Sequence, residues 1–235
     1  MTAVRRRPAM LAAGTAALAV FAGCTHVALS ERAEPVGTRG YRLAPPKSVG
    51  PFKAEYLYGD TYVGVVDCAG APSDADCYIG ATEVGGIGIA PRDANRIIAG
   101  ATGTGANYWG REPRMKGRYF FFRGLQGNVP HPEKALRAML RSIHRKEQEP
   151  FRDTGVKWDG PARPVSFPGY EGAVMWCREG GELSKAVDSG TVTRDPVARC
   201  VWADHSTVVA TESDSSVTEL VELTRELHRT ARVRK

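Results

Sequence analysis

The chain has 235 residues, a formal charge of +6 and five cysteines. That length suits one ordinary domain with an extension, or at most two small domains. Arg5, Arg6 and Arg7 carry three of the surplus charges, and removing them leaves about +3, which makes a nucleic-acid partner an unattractive explanation. Behind them runs AMLAAGTAALAVFAG, about fifteen apolar or small residues. A bilayer-spanning helix needs roughly 20, so the run reads as a cleaved secretory signal rather than a permanent span. Pro8 and Ala9 fit a twin-arginine signal poorly, and the general secretory route is expected.

Phe21, Ala22, Gly23 and Cys24 resemble a bacterial lipobox, with Phe21 where the usual pattern has leucine. The resemblance implies cleavage between Gly23 and Cys24, a diacylglyceryl thioether on Cys24 and acylation of the new amino terminus. Residues 1–23 are then a signal peptide, 24–49 a flexible tether and 50–235 a single extracytoplasmic domain. The expected location is the outer face of the cell membrane, held by lipid through Cys24. An odd cysteine count leaves one thiol without a partner in an oxidising compartment. With Cys24 given to lipid, Cys68, Cys77, Cys177 and Cys200 remain. Three pairings are open, of which adjacency favours Cys68 with Cys77 and Cys177 with Cys200. Neither pair has zinc-ligand spacing and the histidines are scattered, so no metal and no cofactor are expected.

From Thr25 to about Val49 the sequence is rich in Pro, Gly and polar residues and has no sustained period. As a coil it would span on the order of 30 Å. Tyr41 and Leu43 are the residues by which part of it would dock on the domain. TYVGVVD and CYIGATEV read as a hairpin closed around AGAPSDAD, and RIIAGATGTGANYWG with GRYFFFRGLQGNV as a second antiparallel pair. The glycines of GATGTGANYWG lack the third member of a dinucleotide fingerprint and open no amphipathic helix, so close sheet packing explains them better.

HPEKALRAMLRSIHRKEQ is the clearest helix, with Pro132 in the first turn and Leu136, Met139, Leu140 and Ile143 on one face. Lys134, Arg137, Arg141 and Arg145 form a basic ridge on another face. A solvated surface accounts for such a ridge; contact with anionic headgroups or a polyanionic envelope polymer is its functional reading, and that contact would be salt-sensitive. ARPVSF, EGAVMWCRE, ARCVWAD and STVVATES read as strands. SVTELVELTRELHRT follows as a helix capped by Ser215 or Ser216 with Val217, Leu220, Val221 and Leu227 inward. Strands then a helix, twice, predict an α+β fold: a mainly antiparallel sheet with two amphipathic helices packed on it, stapled by disulfides.

GYRLAPPKSVG, GLQGNVPHPEKAL and MWC with ARCVWADHSTVV resemble a group of uncharacterised secreted or membrane-anchored actinobacterial proteins. The shared elements are a Pro-containing entry, Gly124 and Gly127 before a helix, and Cys177 with Cys200 ahead of Trp202 to Thr207. The resemblance implies a Cys177–Cys200 disulfide; it does not imply an activity. Asp204, His205 and Ser206 have the residue types of an acyl-transfer triad. On a strand His205 points away from the other two, so a turn in which Asp204 and Ser206 bond backbone groups is the better reading. Trp109, Trp158, Trp176 and Trp202, with Tyr108, Tyr119, Phe120, Phe121 and Phe122, would line a ligand groove or fill a core.

Glu83, Asp93, Asp153 and Asp159 offer acids but no spacing that selects a catalytic pair. The sequence therefore points to a lipid-anchored envelope protein that binds or scaffolds an envelope protein or polymer without chemistry of its own. The alternatives are an envelope hydrolase acting on wall material and a small-ligand carrier.

Overall fold

The structure is a computed structural model and describes residues 36–55, 66–67, 89, 91–148, 155–185 and 192–234. Cys24, Cys68, Cys77, Glu83, Asp153 and most of the expected first hairpin lie outside the described residues. The elements are β1 (Tyr41–Leu43), β2 (Ser48–Val49), β3 (Phe52–Ala54), β4 (Val66–Asp67), α1 (Pro91–Ile97), β5 (Thr102–Gly110) and β6 (Tyr119–Gln126). They continue with α2 (Pro132–Glu147), β7 (Val156–Trp158), β8 (Arg163–Val165), β9 (Val174–Lys185), β10 (Val192–Ala203), β11 (Thr207–Ser213), α3 (Val217–Ala231) and β12 (Arg232–Arg234).

Among the described residues ten strands form one antiparallel sheet with the path β2-β3-β5-β6-β11-β10-β9-β7, to which β4 adds beside β5 and β8 beside β9. The fold is α+β, as the strand and helix order predicts. Alternation along each strand sends side chains to two faces, and here both faces are covered. On one, Phe52, Tyr108, Phe120, Phe122, Trp202 and Val209 pack with Leu220 and Leu227 of α3. On the other, Leu125, Val201, Val208 and Ala210 pack with Leu136, Met139 and Ile143 of α2 and with Ala94 of α1. Phe120 and Phe122 thus join the α3-side core, while Phe121 between them is buried on the opposite face.

Both expected helices form. α2 begins at Pro132, and α3 is capped by Ser216, whose side chain accepts from the Glu219 N–H. A third helix, α1, occupies Pro91–Ile97, where the run beginning at Arg96 is expected to start a strand. That strand starts instead at Thr102 and pairs antiparallel with β6 as expected. Seven residues are too few to show an amphipathic period, and Ile97 and Ile98 read locally as strand formers; packing on α2 decides the helix.

The expected tether also ends earlier than residue 49. Leu43 and Val49 are fully buried, β2 extends the main sheet, and β1 pairs with β12. The Leu43 N–H donates to Gln126 Oε1 at 2.6 Å. β1 lies so near β6 that a Cβ on Gly124 would be 2.7 Å from Leu43 Cδ1, so the glycine is what admits the strand. Isolated apolar residues in a Pro-rich stretch carry no period, and their burial is decided by what they land on.

Cys177 and Cys200 stand directly opposite each other in the β9–β10 register and form a disulfide, Cys177 only 4% exposed and Cys200 fully buried. At the strand glycines the sheet is close-packed: a Cβ on Gly105 would be 2.7 Å from the Phe122 carbonyl oxygen.

Candidate functional site

A groove of about 290 Å³ runs between α1, the Val129–His131 segment and α2. Among the described residues Arg96, Lys134, Arg141 and Arg145 bring four cations to it, and one carboxylate, Asp93, faces them. Asp93 is only 6% exposed, because the first turn of α1 packs it against α2. Its Oδ2 accepts from Ser142 Oγ at 3.0 Å and pairs with Arg145 at 2.8 Å, while its Oδ1 lies 3.6 Å from Arg96. The guanidinium groups of Arg96 and Arg145 stay mostly exposed, at 70% and 59% side-chain exposure. A buried acid thereby holds two outward-facing arginines, one from each helix. The arrangement suits recognition of an anion, because arginine presents a planar fork of donors to carboxylate or phosphate.

Of the four cations expected to form the basic ridge, Lys134, Arg141 and Arg145 line this groove and Arg137 does not. Arg137 lies over the Trp176 ring at 4.4 Å and donates to Glu133 at 2.7 and 3.2 Å. Sequence reasoning missed Arg96, which depends on α1, and gave Asp93 no partner. The available signal was Pro91 followed by Asp93, a helix start in miniature.

The DHST segment is a turn. Asp204 Oδ1 accepts from the Ser206 N–H at 2.8 Å and the Thr207 N–H at 2.9 Å, and Ser206 Oγ donates to the Thr38 carbonyl at 2.6 Å. His205 Nδ1 donates to the Val129 carbonyl at 3.1 Å, away from Asp204. Asp204 does meet a histidine, but it is His228 of α3, whose Nε2 donates to Asp204 Oδ2 at 3.0 Å. Both side chains are fully buried, and Arg232 Nε lies 3.9 Å from the same carboxylate oxygen. Phe167, Tyr170 and Trp202 enclose the imidazole at centroid separations of 4.9, 4.2 and 5.5 Å. Burial lowers the pKa of His228 against the opposing pull of Asp204. The dyad ties α3 to the β10–β11 turn, and aromatic rings occupy the space a substrate would need.

A second buried network lies where α2 ends. Glu147 pairs with Arg178 and Arg199, and Arg199 also pairs with Glu212 through two nitrogens. Burial raises the pKa of Glu212 despite the neighbouring Arg199. Arg178 and Arg199 lie over the Trp158 ring at 3.9 and 4.7 Å. Arg123, 4% exposed, is lowered to about 10 by desolvation and donates to the carbonyl of Phe122 and to Asn107 Oδ1. These carboxylates are engaged by guanidinium groups, an arrangement for structure rather than proton transfer. The aromatic residues divide likewise: Tyr108, Phe120, Phe122 and Trp202 are core, Phe121 stacks on Tyr119 at 4.4 Å, and Trp109 meets their edges.

No protein-family model, curated protein or solved structure matches this chain. Among the described residues no helix is long and apolar enough to cross a membrane.

Proposed function

We propose that the chain is a lipid-anchored protein of the cell envelope, attached through an acylated Cys24, whose folded domain acts by binding an anionic partner in the groove between α1 and α2. One observation carries the binding part. Four cations converge on a concavity in which Asp93, the one acid among the described lining residues, is buried and already committed to two of them. Arg96, Lys134, Arg141 and Arg145 bring more positive charge to the groove than Asp93 balances, and an anion would relieve the excess.

The FAGC stretch supports the anchoring part. The described residues begin at Val36, and the residues between 24 and 36 join the proposed lipid to it. Fully extended, they reach about 40 Å. The domain would therefore work close to the headgroups and to whatever polymer lies above them.

The two parts are tested together. Wild type and Cys24→Ser are expressed in a bacterial host and fractionated, and the solubilised proteins are incubated with washed envelope fragments over a range of salt. The expected result is membrane retention of wild type, loss of retention or an uncleaved precursor for Cys24→Ser, and salt-sensitive capture by the fragments that an Arg96→Ala, Arg141→Ala variant loses. Unchanged mass and partitioning of Cys24→Ser would refute the anchor. Capture indifferent to salt and to those arginines would refute the binding site.

A further inference from the structure

We propose that the groove accepts a linear phosphodiester chain and engages at least two successive phosphates of it, rather than a single anion or a flat anionic bilayer surface. This rests on the binding reading above and specifies its ligand.

The spacing of the cations carries the inference. Arg141 and Arg145 are one helical turn apart on α2, and Arg96 joins Arg145 from α1 through the shared Asp93. These three make one cationic cluster. Lys134 stands seven residues before Arg141, about 10 Å away along the helix axis. His131 lies beside Lys134 at the start of the helix, where it provides no side-chain cap. One phosphate at the arginine cluster leaves Lys134 about a Debye length away at physiological salt, so the two ends act as separate charges. A chain with a second phosphate placed by a short polyol spacer bridges both.

Shape argues in the same direction. The cations line a recess between two helices, with Asp93 and Ser142 at its floor. A planar headgroup layer meets convex basic patches and would leave such a recess unfilled. A strand of polymer lies along it. At about 290 Å³ the recess is near the lower end of the range that holds a small organic ligand, enough for a short stretch of chain. The covalent chemistry of the ligand is untouched; the groove recognises charge and spacing only.

The test uses the full chain reconstituted in neutral phosphatidylcholine vesicles. It is titrated calorimetrically with glycerol 3-phosphate and with glycerol phosphate oligomers carrying two and four phosphates, at fixed ionic strength. The two-phosphate oligomer is expected to bind at least about tenfold more tightly than the single phosphate, because its second contact is intramolecular. Lys134→Ala should abolish that gain and leave the affinity for glycerol 3-phosphate within about twofold. Arg141→Ala should weaken every ligand, and Arg137→Ala, whose side chain lies on Trp176, should change none. For the four-phosphate oligomer the salt dependence of binding should weaken with each groove cation removed.

Equal affinity for one and two phosphates, or a Lys134→Ala variant that keeps the gain, overturns the inference while leaving anion binding in place. Displacement of the oligomers when phosphatidylglycerol is added to the vesicles assigns the groove to the lipid surface and also overturns it. Binding of none of the probes refutes the groove itself and the binding reading beneath it.

Discussion

Asp204 accepts three hydrogen bonds in a fully buried position, and replacing it separates a turn from a helix clamp. Asp204→Ala removes both turn bonds and the bond to His228 at once. Hydrogen bonds to a charged group each contribute about 1.5–3 kcal/mol, and orphaned buried donors add a penalty. Partial relaxation recovers some of this, so a loss of about 4–6 kcal/mol is expected, a large share of a typical domain's stability. Asp204→Asn keeps the oxygen that caps the turn. Its amide nitrogen faces His228, and a neutral imidazole accommodates it by moving its proton to Nδ1, which is buried without a hydrogen-bond partner. The expected cost at pH 8 is about 1–2 kcal/mol.

The pH dependence then separates the charge from the turn. His228 has its pKa lowered below 6.5 in the fold, so its stabilising contribution is present above pH 6.5. It is lost as the pH falls, because the unfolded chain takes up a proton that the folded chain refuses. Asp204 opposes that lowering. Without the carboxylate the folded pKa drops further, and the loss continues to lower pH. The gap between Asp204→Asn and wild type should therefore widen between pH 8 and pH 5 in urea denaturation monitored by tryptophan fluorescence, with the imidazole followed by NMR. An Asn variant as unstable as the Ala variant, or a gap independent of pH, would refute this account.

Two further predictions concern the sheet. Replacing Cys177 and Cys200 together by Ala releases a loop of sequence separation 23, which on the chain-entropy model costs about 3 kcal/mol or about 8 °C in Tm for a domain this size; calorimetry of the pair against wild type checks it, and slow reduction by dithiothreitol is expected from the burial of both sulfurs. Glu212→Gln should destabilise by about 3 kcal/mol because Arg199 remains buried with half its partners, whereas Arg199→Met combined with Glu212→Gln should recover part of that loss in a double-mutant cycle.

The helices α2 and α3 were legible because fifteen or more residues repeat an apolar face and each begins on a recognisable residue, Pro132 in one and Ser216 in the other. The order of strands β8 to β11 was legible from short β-branched and aromatic runs separated by turn residues. Exposure was not, because alternation separates inside from outside only when one face of a sheet is wet. Arg199 and Glu212 sit on strands in alternation, yet both are buried under the end of α2. The basic ridge was visible as spacing on α2, but a groove needs a second wall. That wall is α1, a seven-residue helix with no period to detect, and with it Arg96 and the pairing of Asp93 stayed hidden. Arg137 has the same spacing as its neighbours and leaves the set only because Trp176 lies beneath it.

The pairing of β1 with β12 sets how the domain would bear load. Tyr41 opposes Arg234 and Leu43 opposes Arg232, so the segment entering the domain is stitched to the segment leaving it. Tension on the chain ahead of Val36 first meets the Val36 bridge to the Gly169–Glu171 loop and the Thr38 bonds to the β10–β11 turn, and only then the two-stranded clasp at its Tyr41–Arg234 end. Beyond the clasp lie Leu43 wedged over Gly124 and the ten-stranded sheet itself. The entry is thus fastened at successive points, so a pull has to release the loop and turn contacts before it loads the clasp and the sheet.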